Sequence, residues 1–291
     1  MPSGVSWRVL AVLSLAAGWG IAAGCSSFSG DPSPETSEAG ADAAAEAAAL
    51  DAGDAGSRFC KTGAAASAIF CADFDDGPLD AGWQLPYIFG GTLGTTPSDR
   101  SPPNALLAAV DRYDLFDRPD AGDAGDAGDA GEVRFGAAGL STTLGRGIAT
   151  GATLDLDMRI DELPPPGPDA TRTGGILAAI GFDINTQSAN FSFYQGFLYF
   201  SVQDPSLATG RQDKILKAPD LGTWINVRIV SRFDGTASDL TLDGTPVATL
   251  SPGIANTKLS ELIVDIGPAG TAAASGKARV AYDNVVVTLL P

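Results

Sequence analysis

Few residue types in this sequence could support catalysis. The chain of 291 residues contains no histidine, which excludes Ser-His-Asp and Cys-His catalysis, histidine-ligated zinc and the usual proton shuttle near neutral pH. Carboxylates and tyrosines are the side chains on which a hydrolase or lyase of this chain would be built.

One stretch places several carboxylates on a single face. Polar and apolar residues alternate over residues 154–162, and side chains two residues apart in a strand point to the same face. The alternation predicts an inward face of Leu154, Leu156, Met158 and Ile160 and an outward face of Asp155, Asp157, Arg159 and Asp161. Paired carboxylates on one face can serve as nucleophile and acid/base. A solvated face of an amphipathic strand also explains the run, and this interpretation is favoured.

An aromatic hairpin provides the candidate binding residues. If Gln195-Gly196 is a two-residue turn, Phe193 lies opposite Leu198 and Phe191 opposite Phe200 on an apolar face. The other face then carries Ser192, Tyr194, Phe197, Tyr199 and Ser201. Tyr194, Phe197 and Tyr199 on this face are candidates for stacking against sugar rings. The alternative, and favoured, interpretation is that the face packs under a loop or a second layer.

The chain contains three cysteines. With Cys25 assigned to a lipid, as described next, Cys60 and Cys71 remain as a pair in an oxidising compartment. We expect a disulfide between them, the alternative being two free thiols.

The N-terminus carries an export signal. Arg8 and the free amino group form a positive region, and residues 9–17 form a short apolar run, as in secretory signals. The uncharged stretch is about 16 residues, fewer than the roughly 20 that a spanning helix needs. We therefore expect residues 1–24 to be a signal peptide rather than a membrane anchor.

The signal ends in Ile-Ala-Ala-Gly-Cys at Cys25, which resembles the lipobox of bacterial lipoproteins. The resemblance implies that the thiol of Cys25 carries a lipid that anchors the chain in a membrane of the cell envelope. Ser26 after the cysteine implies, by the same resemblance, the outer membrane of a Gram-negative bacterium. The alternative is an ordinary cleavage site with a chance cysteine nearby.

Low-complexity sequence follows Cys25 and occurs again at residues 120–131. Residues 25–57 have almost no large apolar side chains, which predicts a disordered acidic stalk. Residues 120–131 read Asp-Ala-Gly four times, without the apolar positions of a calcium-binding solenoid or the proline of collagen, so we expect a disordered loop.

The net charge of −17 makes nucleic acid an improbable partner.

Residues 58–291 have the pattern of one all-β domain. Short apolar or alternating runs are separated by Gly, Pro, Asn and Asp, as in sandwiches and barrels. Asp243-Gly244, between apolar runs at residues 240–242 and 245–250, is a strong type I′ hairpin signal. The predicted strands span residues 69–74, 106–110, 153–160, 176–184, 191–194, 197–202, 224–233, 240–242, 262–266 and 280–289.

The two ends of this domain resemble a known family. Phe-Cys-Ala-Asp-Phe-Asp-Asp at residues 70–76 with Trp83, and Val-Ala-Tyr-Asp-Asn-Val-Val-Val at residues 280–287, enclose Trp-Ile-Asn-Val-Arg-Ile at residues 224–229. This order is similar to the concanavalin A-like lectin/glucanase jelly roll, and within it to LamG-type domains of bacterial surface proteins. The resemblance implies two curved antiparallel sheets whose first and last strands pair.

The resemblance also implies possible ligands. Many members bind a ligand on the concave sheet face, and some bind a structural calcium near the chain ends. Asp73, Asp75 and Asp283, with Asp76 and Asn284, have the oxygen ligands that calcium prefers, although Asp and Asn are also common in turns. Glutamate is missing from residues 154–162, where the glucanase members carry their catalytic pair.

We therefore expect a displayed, non-catalytic binding module for a carbohydrate or a partner protein, with no cofactor except a candidate structural calcium. Two alternatives remain open. One is a polysaccharide hydrolase or lyase that uses Asp155 and Asp157, and the other is a purely structural envelope protein.

Overall fold

The computed structural model describes residues 58–61, 65, 67–75, 78–115, 134–147, 149–165, 173–184, 186–256, 261–272 and 276–291. The predicted signal peptide, Cys25, the stalk, the Asp-Ala-Gly segment at residues 120–131 and Asp76 lie outside these ranges. The elements are α1 (Arg58–Lys61), β1 (Phe70–Ala72), β2 (Leu85–Phe89), β3 (Gly91–Pro97), β4 (Asn104–Val110), β5 (Asp114–Leu115), β6 (Arg134–Gly145), β7 (Gly151–Glu162), β8 (Gly174–Asp183), β9 (Gln187–Tyr194), β10 (Phe197–Gln203), β11 (Arg211–Ile215), β12 (Trp224–Arg232), β13 (Ser238–Leu242), β14 (Thr245–Leu250), β15 (Glu261–Ala272) and β16 (Ala278–Leu290).

The strands form two eight-stranded sheets. Sheet A has the order β14-β13-β12-β7-β16-β4-β3, with β1 also paired to β16, and sheet B has the order β11-β10-β9-β8-β15-β6-β2, with β5 also paired to β6. Every pair of neighbouring strands is antiparallel. The predicted all-β jelly-roll sandwich of two antiparallel sheets is confirmed. None of the helical segments within the described ranges is long and apolar enough to cross a bilayer.

One hydrophobic core lies between the sheets. Leu154, Leu156 and Met158 of β7 are fully buried on the inner side of sheet A, and Phe191 and Phe200 are fully buried on the inner side of sheet B. Each such side chain contributes about 1.5–3 kcal/mol by leaving water. The alternation predicted for residues 154–162 is therefore the alternation of a half-buried strand.

Two predicted hairpins fix the local register. Gln195 and Gly196 have φ of 53° and 82°, and Asp243 and Gly244 have φ of 47° and 74°, as type I′ turns require. The first turn pairs Leu198 with Phe193. The predicted separation of an apolar and an aromatic-polar face on β9 and β10 is confirmed.

The entry into the domain is tied to its last strand. β1 pairs with β16 through Phe70 and Val287, as the family resemblance implies. The predicted disulfide joins Cys60 to Cys71 with their Cα atoms 5.6 Å apart, and closing a loop of this length contributes roughly 3 kcal/mol. β1 is shorter than the predicted strand at residues 69–74 because Phe74 adopts a positive φ of 60°.

Strands β2, β3, β5, β6 and β11 have no counterpart among the predicted strands. β6 contains Gly136 and Gly139, which weaken a strand prediction because glycine has low β propensity. A Cβ on Gly136 would come within 2.5 Å of the Val110 side chain. Close packing of β6 against β4 of the facing sheet therefore selects glycine there.

Candidate binding site on the outer face of sheet B

The β9–β10 hairpin places its aromatic residues at one end of the outer face of sheet B. Tyr194 and Tyr199 pack edge to face, with ring centroids 5.8 Å apart and planes at 85°. Phe197 beside them is 46% exposed. We call Tyr194, Phe197 and Tyr199 the aromatic patch. The structure thus brings together the three residues that the sequence proposed for ligand stacking.

The neighbouring strand β11 adds charge to the aromatic patch. Ile215 lies opposite Tyr199 and Asp213 lies opposite Ser201. Arg211 Nε donates to Asp213 Oδ1 at 2.5 Å, and Arg211 Nη2 donates to Ser201 Oγ at 3.0 Å. Burial and the nearby Tyr194 and Asp213 raise the pKa of Tyr199, and Arg211 opposes the rise. The tyrosine therefore keeps its proton at neutral pH and can donate a hydrogen bond.

A row of small and polar side chains crosses the same face beside the patch. The strand registers place Ser201 opposite Asn190, Asn190 opposite Ala179, Ala179 opposite Asp265 and Asp265 opposite Ser141. We call these five residues the polar row. Asn190 and Asp265 flank Ala179 on three adjacent strands, so their Cα atoms lie about 10 Å apart. Ala179 between them has only a methyl side chain and is fully buried.

Polar atoms in this region have no hydrogen-bond partner. Both side-chain atoms of Asn190, Asp265 Oδ1 and Oε1 of the adjacent Gln203 are buried and unpartnered. Asn190 is only 1% exposed. Buried polar atoms without partners are costly and usually indicate a missing water, ion or ligand. The polar row therefore has unused capacity to bind a polar group.

Asp265 is also held in an unusual electrostatic state. Burial raises the pKa of Asp265 to about 6, and a hydrogen bond from Ser141 opposes the rise. None of the described residues forms an ion pair with it. At neutral pH the polar row therefore contains a sheltered negative charge without a cation.

Tyr87 bounds the face on the side opposite to the aromatic patch. Its ring lies across Gly139, where a Cβ would overlap the Tyr87 hydroxyl, and its hydroxyl donates to the Ile266 carbonyl at 3.0 Å. Burial raises the pKa of Tyr87 well above its ordinary value, with further contributions from Asp265 and Tyr282. Leu85 and Phe89 on the same strand are exposed. Large side chains thus stand on both sides of the polar row.

The outer face of sheet A is organised differently. Asp155 accepts from Arg228 Nε at 2.6 Å and from Asn226 Nδ2 at 2.8 Å. Asp157 accepts from Asn284 Nδ2 at 2.9 Å and shares the Asn226 amide. The two carboxylates lie on one face as predicted, but guanidinium and amide donors of the sheet already bind both of them.

Asp283, a predicted calcium ligand, lies buried on sheet A. Its carboxylate accepts from the hydroxyls of Ser98 and Ser101 at 2.5 and 2.9 Å, and from the backbone of Ser101 and Asn284. Burial raises its pKa to about 6 despite these hydrogen bonds. Protein donors therefore already solvate the carboxylate, which does not favour a cation there.

The other calcium candidates lie near the same turn. Asp75 accepts from the backbone N–H of Asn104 at 2.8 Å, and Asp73 directly follows β1. Across the described part of the chain, no group of three or more acidic or cysteine side chains is placed to hold a metal ion. Calcium binding by Asp73, Asp75 and Asp283 is not tested by this geometry and stays a prediction.

Comparison with known proteins finds similar solved structures but no matching family. No family model matches the chain, and no curated protein matches it. Similar solved structures include alginate lyase A1-II' of polysaccharide lyase family 7 (16% identity, 73% of this chain and 87% of that chain, TM-score 0.45). Others are a sialidase (13% identity, 76% and 18%, TM-score 0.48) and the botulinum neurotoxin type G receptor binding domain (7% identity, 77% and 49%, TM-score 0.43). At these values the likeness says nothing about function.

Sequence reasoning missed Asn190, Asp265 and Tyr87. Asn190 precedes the predicted strand at residues 191–194, and extending the alternation by one residue would have placed it beside Ser192. Asp265 is a single acid in the apolar strand at residues 262–266, which was an available signal. No local signal marks Tyr87, because Gly139, which its ring covers, lies 52 positions away. Gly139 also belongs to a strand whose glycines weaken its prediction.

Proposed function

We propose that the domain binds a carbohydrate on the outer face of sheet B. A sugar ring stacks on the aromatic patch, and its hydroxyl groups bind the unpartnered atoms of Asn190 and Asp265. The observation that carries this proposal is the placement of stacking rings and unpartnered polar atoms on one face. Carbohydrates combine apolar ring faces with many hydroxyl groups, so they match both features.

A partner protein fits these features less well. Protein interfaces draw most of their binding energy from buried aromatic and arginine side chains at the centre of a patch. Here the centre is the polar row, and the exposed aromatic side chains Phe197 and Phe89 lie on opposite sides of it. The hydrogen-bonding capacity of the row favours a ligand with closely spaced hydroxyl groups.

No contact favours catalysis at Asp155 and Asp157. Both carboxylates accept hydrogen bonds from Asn226, and Asp155 also pairs with Arg228. These contacts serve the packing of β7 against β12. We therefore propose binding without turnover.

We further propose that a lipid on Cys25 tethers this domain to the cell envelope. The signal sequence delivers the chain there, and the domain binds its ligand at that location. The lipobox-like sequence supports this location. Labelling cells with a radioactive fatty acid tests it, because a Cys25→Ala variant should carry no label. Equal label in both proteins would refute the anchor.

The binding proposal is tested by a glycan array followed by titration. We expect the full chain to bind at least one glycan, and Phe197→Ala to weaken that binding five- to tenfold, since one stacked aromatic contact contributes about 1 kcal/mol. Leu221→Ala is the matched control, because Leu221 is a similarly exposed apolar residue outside the face. An array without any bound glycan would reject the proposal.

A further inference from the structure

The charges on the outer face of sheet B are unbalanced. Asp265, Asp213 and Glu261 lie on outward positions of β15 and β11. The cation among them, Arg211, is already paired with Asp213. Asp265 has no cationic partner among the described residues. A ligand that reaches the polar row therefore meets an uncompensated negative charge.

Most of the unpartnered atoms on this face are hydrogen-bond acceptors. Three of them accept hydrogen bonds, namely Asn190 Oδ1, Gln203 Oε1 and Asp265 Oδ1, whereas Asn190 Nδ2 alone donates. A ligand that satisfies this set must offer mostly donors. Hydroxyl groups can donate, but carboxylate and sulfate groups can only accept.

From the charge and the acceptor excess together, we infer that the ligand is an uncharged, hydroxyl-rich saccharide and that Asp265 rejects acidic saccharides such as polyuronates. This inference rests on the proposed carbohydrate function. Asp265 acts as a specificity-determining residue, because a like charge placed in a site disfavours a competing ligand even where the shape fits. The Asn190 amide meanwhile supplies one donor and one acceptor to either class.

The test compares one saccharide in two charge states. The neutral oligosaccharide that binds best on the array is oxidised at its primary hydroxyl groups to the corresponding uronate, which keeps the backbone and adds negative charge. Both forms are titrated against the full chain at pH 7.5 and low salt. We expect the oxidised form to bind at least tenfold more weakly, and the difference to shrink at high salt because screening weakens the repulsion.

The variant Asp265→Asn tests whether Asp265 causes the weaker binding of the oxidised saccharide. This variant keeps the shape of the side chain and should reduce the discrimination to less than threefold. Asp99→Asn is the control, because it removes one negative charge from an exposed turn next to sheet A and should leave the discrimination unchanged. Circular dichroism confirms that both variants are folded.

The outcomes separate the two claims. If neither charge form of any saccharide binds, the proposed function fails. If the oxidised saccharide binds as tightly as the neutral one, the function stands and the inference is overturned. If discrimination is present but survives Asp265→Asn, the role of Asp265 is overturned.

Discussion

Asp265 and Asp283 show how one physical cause can lead to different roles. Burial raises the pKa of each to about 6. Asp283 accepts hydrogen bonds from two serine hydroxyls and two backbone N–H groups, whereas Asp265 retains a buried oxygen without a partner. Asp283 therefore holds the turn that contains Ser98 and Ser101, and Asp265 remains available to a ligand.

This difference predicts a pH-dependent gain in stability for Asp265→Asn. The folded pKa of about 6 lies above the ordinary value of 3.8, so the native chain loses stability as pH rises from 3.8 through 6. The variant lacks this penalty. We expect its free energy of unfolding at pH 7.5 to exceed that of the native chain by about 3 kcal/mol.

Urea unfolding at pH 7.5 and pH 4 measures the effect. Near pH 4 the gain should largely disappear, because the native Asp265 is then protonated beside Ser141 and Tyr87. Asp99→Asn should show little change at either pH. A variant that is less stable than the native chain at pH 7.5 would contradict the assigned burial of the charge.

At the scale of elements, β6 determines how closely Tyr87 approaches the sheet. A Cβ on Gly139 would overlap both the Tyr87 hydroxyl and the Ile266 carbonyl, whereas a Cβ on Gly145 of the same strand would meet nothing within 4 Å. We expect Gly139→Ala to lower the free energy of unfolding by about 2 kcal/mol. Gly145→Ala should change it by less than about 0.5 kcal/mol.

Chemical unfolding of the two variants provides a matched comparison, since both substitutions add one methyl group to an outward position of β6. Equal stabilities would show that Tyr87 does not lie across Gly139. The site would then lack the large side chain on its β2 side.

The elements also show what the sequence could predict. The Gln195-Gly196 turn predicts the register of β9 and β10 because its two positions with positive φ allow one pairing, and that pairing is observed. The alternation of β7 likewise predicts its buried side. β6 and β2 could not be predicted, because Gly139 is explained by the distant Tyr87 and not by local propensity. The polar row was hidden for a similar reason, since β15 and β6, which carry Asp265 and Ser141, are distant in sequence from the consecutive strands β8, β9 and β10.

At the scale of the whole molecule, the acidic side chains on the outer faces of the two sheets have different hydrogen-bond partners. Sheet A pairs Asp155 with Arg228 and Arg232 with Asp239, and Arg159 stacks on Trp224 with its guanidinium 5.0 Å from the ring centroid. Sheet B pairs Arg211 with Asp213 and carries the unpartnered side chain of Asn190 and one unpartnered oxygen of Asp265, whereas the unpartnered atoms on sheet A include Trp224 Nε1 and Asn284 Oδ1. The carboxylates Asp155 and Asp157 of sheet A are bound by protein donors, and Asp265 of sheet B retains an oxygen for a ligand.

Two asparagines, one on each sheet, distinguish the two outer faces by experiment. Asn190 lies on sheet B without partners, and Asn226 lies on sheet A with bonds to Asp155 and Asp157. Titration of the best neutral glycan against Asn190→Ala and Asn226→Ala should show at least tenfold weaker binding for the first variant and unchanged binding for the second. Unfolding should show the reverse order, with stability lost only in Asn226→Ala. Unchanged glycan affinity in Asn190→Ala would contradict the account.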